Sequence, residues 1–266
     1  MLNLKELQRV CEALGIEFIL YGGSLIGAVR HGGFVPWDDD LDVAMMREDY
    51  EKFIKEAPKL LGEDFFLQHY TTDKKTPYFY AKLRLKGTKC VEYGNHRLRI
   101  DHGIYVDIYP IDKMHAGSKQ RLETHRKYQK LSRLYILRQT PFRACPSKGI
   151  KDKLRAVARF AVSTALHVIP MSYFVKKMNS YLTIAEDEDT NIYGNYFYPK
   201  PSPINLYFGD PRPFVRGTFE GVNVKLPHGY HEHLMSRYGN YLELPPEEKR
   251  IGHLPYKLDF GKYKED

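Results

Sequence analysis

The stretch Ile16-Glu-Phe-Ile-Leu-Tyr-Gly-Gly-Ser24, followed after a punctuated loop by Asp38-Asp-Asp-Leu-Asp-Val-Ala44, decides the fold of this 266-residue chain. Ile16–Tyr21 reads as a buried strand and Gly22-Gly23-Ser24 as the turn that leaves it. Ser24–Arg30 reads as a short helix with Ser24 near its N-terminus. His31-Gly-Gly-Phe-Val-Pro-Trp37 is turn-rich, and Asp38–Ala44 resembles a strand entered through charges. Side chains two apart on a strand share a face, so Asp40 and Asp42 are expected to project together while Leu41 and Val43 face the core. Two carboxylates about 4 Å apart repel by roughly 4 kcal/mol at an effective dielectric of 20. A cation between them relieves that repulsion, and oxygen-only ligands favour Mg²⁺ or Mn²⁺ over zinc.

Outward from this segment the pattern is one α/β (α+β) unit, a small mixed sheet flanked by helices. Leu4, Leu7, Val10, Cys11 and Leu14 recur at helical spacing and Gly15 stops that helix; Arg47–Leu61 is a second helix, with Tyr50, Phe53, Ile54, Ala57 and Leu61 on one face. Strand-like runs follow at Phe65–Tyr70, Tyr78–Leu85, Lys89–Tyr93 and Gly103–Asp112. Asp107 lies between Val106 and Ile108 in the most apolar of these, where a lone charge is costly unless paired. It is therefore expected to meet Asp40 and Asp42 on an adjacent strand, beside a Gly-Gly-Ser turn whose free N–H groups suit a phosphate. Metal, carboxylates and phosphate cradle together describe phosphoryl transfer. Asp38 and Asp39, taken alone, read as a solvated turn.

The expected organisation is a core at 1–112, a basic, mostly helical insertion at 113–200 and a C-terminal part at 201–266 that packs back on the core. Residues 113–160 carry 14 Lys/Arg against 2 Asp/Glu, while the rest of the chain has 27 against 31. A mildly acidic body thus holds one strongly basic segment. Residues 118–140 and 150–186 are helical in pattern, broken at Pro141, Pro146 and Pro170; Phe214–Leu226 is strand-like and His231–Tyr238 helical.

The hydrophobic share of 42% and aromatic share of 14% exclude wholesale disorder. Cys11, Cys90 and Cys145, odd in number and widely spaced, form neither a disulfide framework nor a zinc cluster, which suits a reducing, cytoplasmic setting. The first ten residues lack the apolar core of a signal peptide. Phe160–Met171, the longest mostly apolar stretch, falls well short of the ~20 residues a membrane span needs. The Lys/Arg-rich stretch 119–138, with Leu131, Leu134, Tyr135 and Ile136 interspersed, is expected to form a basic amphipathic helix at an anionic membrane surface, with Phe160–Met171 in the interface. The alternative is an ordinary solvated basic face. No recognisable nucleic-acid motif is present, so no nucleic-acid partner is expected.

The segment Tyr21-Gly-Gly-Ser-Leu-Ile-Gly-Ala-Val-Arg-His-Gly-Gly-Phe-Val-Pro-Trp-Asp-Asp-Asp-Leu-Asp42 resembles the signature of the LicD family. Later landmarks are similar too: Ala81-Lys-Leu-Arg84 with Thr88, Tyr105–Asp112, Phe219-Glu-Gly221 and Tyr238–Arg250. The resemblance spans nearly the whole chain, with a variable middle at about 113–200. It implies a nucleotidyltransferase-like fold and transfer of phosphocholine from cytidine diphosphate-choline (CDP-choline) to a sugar hydroxyl. The acceptor implied is a lipid-linked surface-glycan precursor of the teichoic acid kind at the cytoplasmic membrane face. Fukutin-like members, which transfer ribitol phosphate, leave another alcohol phosphate or a nucleotide as the alternative. A non-catalytic membrane- or polyanion-binding protein is a third reading, against which Asp40, Asp42 and Asp107 argue together.

On this reading Asp40 and Asp42 hold Mg²⁺ against the diphosphate, and Asp107 completes the metal site and accepts or orients the proton of the attacking hydroxyl. Gly22, Gly23 and Ser24 contact the donor phosphates. Lys82 and Arg84 alternate on one strand face within reach of the diphosphate, or else form an exposed basic edge. Arg30 lies one helical turn from the cradle. Trp37, the only Trp, stacks on the base or the choline or fills core. Glu220 approaches from the C-terminal part, and His31 and His253 are read as structural.

Overall fold

Leu4, Leu7, Val10 and Cys11 line the buried side of helix α1 (Leu2–Leu14), and Gly15 ends it at φ 63° with its N–H returned to the helix. Asn3 of this helix donates to the carbonyls of Leu83 and Ile104 at 2.9 and 3.0 Å, which fixes α1 across two strands. The computed structural model describes residues 1–142, 149–201, 206–250, 252 and 254–264. After α1 come β1 (Ile19–Leu20), α2 (Gly22–His31), β2 (Asp42–Met46), α3 (Arg47–Glu56), β3 (Phe65–Gln68), β4 (Ala81–Leu85), β5 (Lys89–Val91) and β6 (Ile104–Lys113). Then follow α4 (Ser118–Gln139), α5 (Ile150–Ala165), α6 (Met171–Leu182), β7 (Ile192–Gly194), β8 (Leu206–Phe208), β9 (Val215–Phe219), β10 (Val222–Leu226), α7 (Tyr230–Tyr238) and β11 (Lys257–Asp259).

The result is the expected mixed α/β fold. A seven-stranded sheet runs β1-β2-β6-β4-β3, with β7 added to the far end of β6 and β8 to β7. β2 and β6 are parallel; the other pairs are antiparallel. Alternation sorts the side chains cleanly. Val43 and Met45 of β2, Leu83 of β4, and Val106 and Ile108 of β6 join α1 and α3 in the main core. Ala44, Tyr109 and Ile111 point the other way into a tyrosine-rich cluster with Tyr21, Tyr193 and Tyr207.

The predicted strand 16–21 pairs only at Ile19 and Leu20, because β2 starts at Asp42 and presents just Val43 and Ala44 to it. Gly22, at φ 59°, turns the chain from strand to helix in one residue, so Gly23 and Ser24 already lie in α2 rather than in a preceding turn. The predicted strand 214–226 is a hairpin. Glu220 and Gly221, at φ 50° and 73°, make a two-residue turn with both residues left-handed, which matches the twist of the flanking strands. Pro170 does separate α5 from α6. The three-residue strands β7, β8 and β11 carry too little pattern to be read from the sequence.

Helix α4 differs from the expectation of a free amphipathic helix. Tyr128 and Tyr135 are fully buried with Phe174, Met178 and Leu182 of α6, and Leu131 and Leu134 pack against the same cluster. Gln129 reaches the carbonyls of Tyr196 and Tyr198 at 2.6 and 2.8 Å. Of the apolar side chains expected at an interface, Leu131, Leu134 and Tyr135 are spent on this second core while Ile136 stays exposed, and most of the basic ones face solvent.

Candidate active site

Residue Asp42 is the register partner of Asp107 across the parallel β2–β6 pair, and Lys82 is the partner of Asp107 across β4–β6. All three therefore lie in one row on the polar face of the sheet. They are buried, at 8%, 5% and 1% exposure respectively. Lys82 Nζ is 2.8 Å from Asp107 Oδ1 and 3.9 Å from Glu92 Oε2, and sits 3.5 Å from the centre of the Tyr105 ring. Tyr109, two residues along the same face, donates to Asp107 Oδ2 at 3.3 Å. Asp42 Oδ1 is buried without a hydrogen-bond partner. Burial first, then the neighbouring Asp40 and Asp107 carboxylates, push Asp42 well above the usual carboxylate range. Burial also raises Asp107, against the opposing pull of Lys82.

The start of α2 is built around these carboxylates. A side chain at Gly22 would place Cβ 2.5 Å from Asp42 Oδ2, and one at Gly23 would place it 2.0 Å from Asp38 Oδ2. The glycines thus let two acidic side chains approach the positive end of the helix. Ser24 is buried, and its hydroxyl accepts the Asp42 N–H at 2.9 Å. Ser24 secures the strand that carries Asp42. Asp40 precedes β2 and is half-buried; it does not share the strand alternation predicted for it, because pairing with β6 begins only at Asp42.

The remaining predicted residues divide. Lys82 and Arg84 are not an exposed edge: Arg84 is fully buried, donating to Gln68 Oε1 at 2.7 Å and to the Gly103 carbonyl at 2.8 Å. Lys82 reaches the acidic row, whereas Arg84 ties β4 to β3 and to the chain before β6. Arg30, at the C-terminal end of α2, donates to the carbonyls of Tyr241 and Glu243 at 2.8 and 3.3 Å. Its guanidinium lies 5.8 Å from the centre of the Trp37 ring, and that of Arg250 lies 5.4 Å from it. Gly23, Arg30, Trp37, Asp38, Tyr238 and Tyr241 line a cleft of about 510 Å³ that reaches the start of α2 at Gly23, the residue after the glycine that abuts Asp42. A second cavity, of about 450 Å³ on the α1 side of the sheet near Gln8, Cys11 and Lys225, holds no such constellation.

Glu220 does not reach the carboxylates. It accepts the Phe34 N–H at 3.0 Å and its own N–H goes to the Gly32 carbonyl, so the β9–β10 turn secures the loop between α2 and β2. His31 is exposed and edge-on to Trp37; His253 and Cys145 lie outside the described residues.

Sequence reading missed three contributors. Glu92 is held below its usual range despite burial, because Lys82, Tyr78 and Arg84 favour its charge. Tyr109 was legible in principle, being two residues from Asp107 on the same strand. Arg237 arrives from α7 with no local signal. Its guanidinium lies 5.8 Å from the Tyr21 ring and 4.7 Å from Tyr238, and Nε and Nη1 are buried without hydrogen-bond partners. Tyr198 and Tyr238 link it to the acidic row: burial is the main cause that raises both hydroxyls, and the Asp42 carboxylate adds to it.

In chemistry this donor set suits a hard divalent cation: oxygen ligands only, two buried carboxylates side by side, one oxygen without a partner. Among the described residues no three His, Cys, Asp or Glu side chains stand as a group that could hold a metal ion. Asp42 and Asp107 are adjacent, Asp40 is a step out, and Lys82 engages one Asp107 oxygen.

A parallel strand pair carrying two neighbouring carboxylates beside a glycine-led helix is an arrangement suited to phosphoryl transfer. Residues 15–151 match the family described as LicD/FKTN/FKRP, nucleotidyltransferase domain. The chain belongs to the LicD family of transferases. It is 29% identical over 261 residues to the lipopolysaccharide cholinephosphotransferase LicD of Haemophilus influenzae, covering 92% of this chain and 89% of that protein. Ribitol 5-phosphate transferase FKRP of Homo sapiens is 52% identical over 40 residues, 15% of this chain and 8% of its own. An uncharacterised Rickettsia prowazekii protein is 30% identical over 122 residues, 43% of this chain and 46% of its own.

Proposed function

We propose that this enzyme transfers phosphocholine from CDP-choline to a sugar hydroxyl of a lipid-linked surface-glycan precursor of the teichoic acid kind. The observation that carries the reading is the Asp42–Asp107 pair, buried in register on neighbouring strands with one oxygen unpartnered. Near full-length similarity to a cholinephosphotransferase favours choline over ribitol, for which the similarity is confined to 40 residues. Asp42 and Asp107, with Asp40 beside them, would hold Mg²⁺ or Mn²⁺. Such an ion supplies charge neutralisation on a diphosphate and on the leaving nucleotide.

The chain's own residues have separable tasks. The acceptor oxygen forms a bond to the phosphorus next to choline, the bond from that phosphorus to the bridging oxygen breaks, and cytidine monophosphate leaves with the electron pair. Asp107, made more basic by burial, takes or orients the hydroxyl proton. Lys82 and Arg237 are cations facing the region where anionic oxygens gather, and Arg237 has two N–H groups to give. The cleft beside Trp37 takes the cytidine end, with Arg30 shaping its wall. In the described residues no helix is long and apolar enough to cross a membrane, and we place the enzyme peripherally on the cytoplasmic face.

The test is release of cytidine monophosphate from CDP-choline, CDP-ribitol and CDP-glycerol with a glycan acceptor and Mg²⁺. Turnover of CDP-choline at least about tenfold above the other two supports the reading. Preference for CDP-ribitol keeps the reaction and overturns the donor.

A further inference from the structure

Helix α5 is amphipathic in the wrong sense for a helix packed on its own protein. Successive residues rotate by about 100°, so Asp152, Ala156, Arg159 and Ser163 share one side. That polar and small side is the one turned inward. Arg159 donates to the Thr140 carbonyl and hydroxyl at 2.7 and 2.8 Å, and Ser163, the helix's one buried residue, donates to the Arg138 carbonyl at 3.3 Å. The opposite side carries Ile150, Leu154 and Val157, exposed at 76%, 65% and 67%. Val168, just past the helix, is 86% exposed and Phe160 is 51% exposed. Burying such side chains in an apolar phase is favourable, yet the fold leaves them outermost. Lys151 and Arg155 flank the stripe on one side and Lys153 on the other.

We infer that α5 is the element that seats this chain on an anionic lipid surface, its apolar stripe in the headgroup–acyl boundary and its flanking cations among the headgroups. An apolar face bordered by Lys and Arg is the anatomy of an interfacial helix. The charge pattern selects this occupant over a second copy of the chain, which would set Lys151, Lys153 and Arg155 against their own counterparts. Anionic headgroups complement them instead, each basic side chain near such a surface raising partition roughly fivefold. The expectation of membrane contact through 119–138 and Phe160–Met171 thus centres on α5, since Leu131, Leu134 and Tyr135 of α4 pack in the second core with α6. The inference draws on the proposed lipid-linked acceptor for its purpose only; its geometry is independent of that reading.

The experiment is co-sedimentation of the full chain with phosphatidylcholine vesicles, with and without phosphatidylglycerol. The wild type is expected to sediment with the anionic vesicles. Leu154→Glu/Val157→Glu should lose at least about tenfold in partition, and Lys151→Gln/Lys153→Gln/Arg155→Gln should lose the preference for phosphatidylglycerol. Both variants change exposed side chains, so unchanged thermal unfolding and unchanged transfer to a water-soluble acceptor are expected. Wild-type partition by the Leu154/Val157 variant, or no wild-type sedimentation with either vesicle, overturns the inference. So does a wild-type dimer that the same variant dissociates without any lipid binding. None of these results touches the donor assignment, which is read in solution.

Discussion

Strands β2, β4 and β6 present Val43, Leu83 and Ile108 to one side and Asp42, Lys82 and Asp107 to the other. The same three strands therefore serve two ends, separated by a period of two. On the α1 side, burial is matched to residue type and each side chain contributes to stability. On the other side, burial is mismatched: two carboxylates are held where water cannot solvate them, and both are harder to ionise as a result. A protein retains such an arrangement against its own stability where the charges have a use, and perturbed groups gathered by a cleft mark functional sites. The apolar face supplies the rigidity that keeps the polar face assembled.

Substitutions that separate the two faces sharpen this contrast. The largest effect is expected for Asp107→Asn, which should lower transfer per folded molecule by about 10³-fold, in line with losses of transition-state charge stabilisation, while circular dichroism stays near wild type and thermal unfolding falls because the buried Lys82 loses its partner. Leu83→Ala on the opposite face should do the reverse. It is expected to cost about 2–5 kcal/mol of stability by denaturant titration, with turnover per folded molecule nearly unchanged. Equal losses of activity from both would break the division. Arg237→Gln should raise the donor KM by about tenfold or more through loss of its two free N–H groups, with a smaller loss of stability from its contacts with Tyr21, Tyr198 and Tyr238.

The smallest expected effect is on pH dependence. A carboxyl group whose native pKa lies above its unfolded value binds more protons in the native state than in the unfolded one between the two values. In chelator, the contribution of Asp42 to stability should therefore be greatest below the ordinary carboxylate range and be lost as pH rises through its native pKa. Asp42→Asn should flatten that profile and melt above wild type at neutral and higher pH. A variant that melts below wild type there would show that the charge at Asp42 is stabilising after all.

Much of this was legible in the sequence, for identifiable reasons. The Asp107 position stood out because a charge between Val106 and Ile108 violates the pattern of a buried strand. The pairing of Asp42 with Asp107 followed because period-two alternation fixes faces. Other features depended on contacts distant in sequence. Arg84 looked like a ligand-binding cation, but its partners Gln68 and Gly103 are set by β3 and the approach to β6. Asp40 looked equivalent to Asp42, and differs because the sheet begins one step too late to include it. Arg237 lay in an ordinary helical pattern until α7 docked beside Tyr21. The turn at Glu220-Gly221 was invisible inside an apparently continuous strand.

The claim that joins these observations is that the Asp42–Asp107 row takes a divalent cation and, with it, a CDP-alcohol. Calorimetric titration of CDP-choline into wild type and Asp42→Asn, each in Mg²⁺ and in EDTA, tests it most directly. Binding in Mg²⁺ by the wild type alone, lost in EDTA and lost in the variant, is the predicted result. Undiminished binding in EDTA and in Asp42→Asn would contradict it.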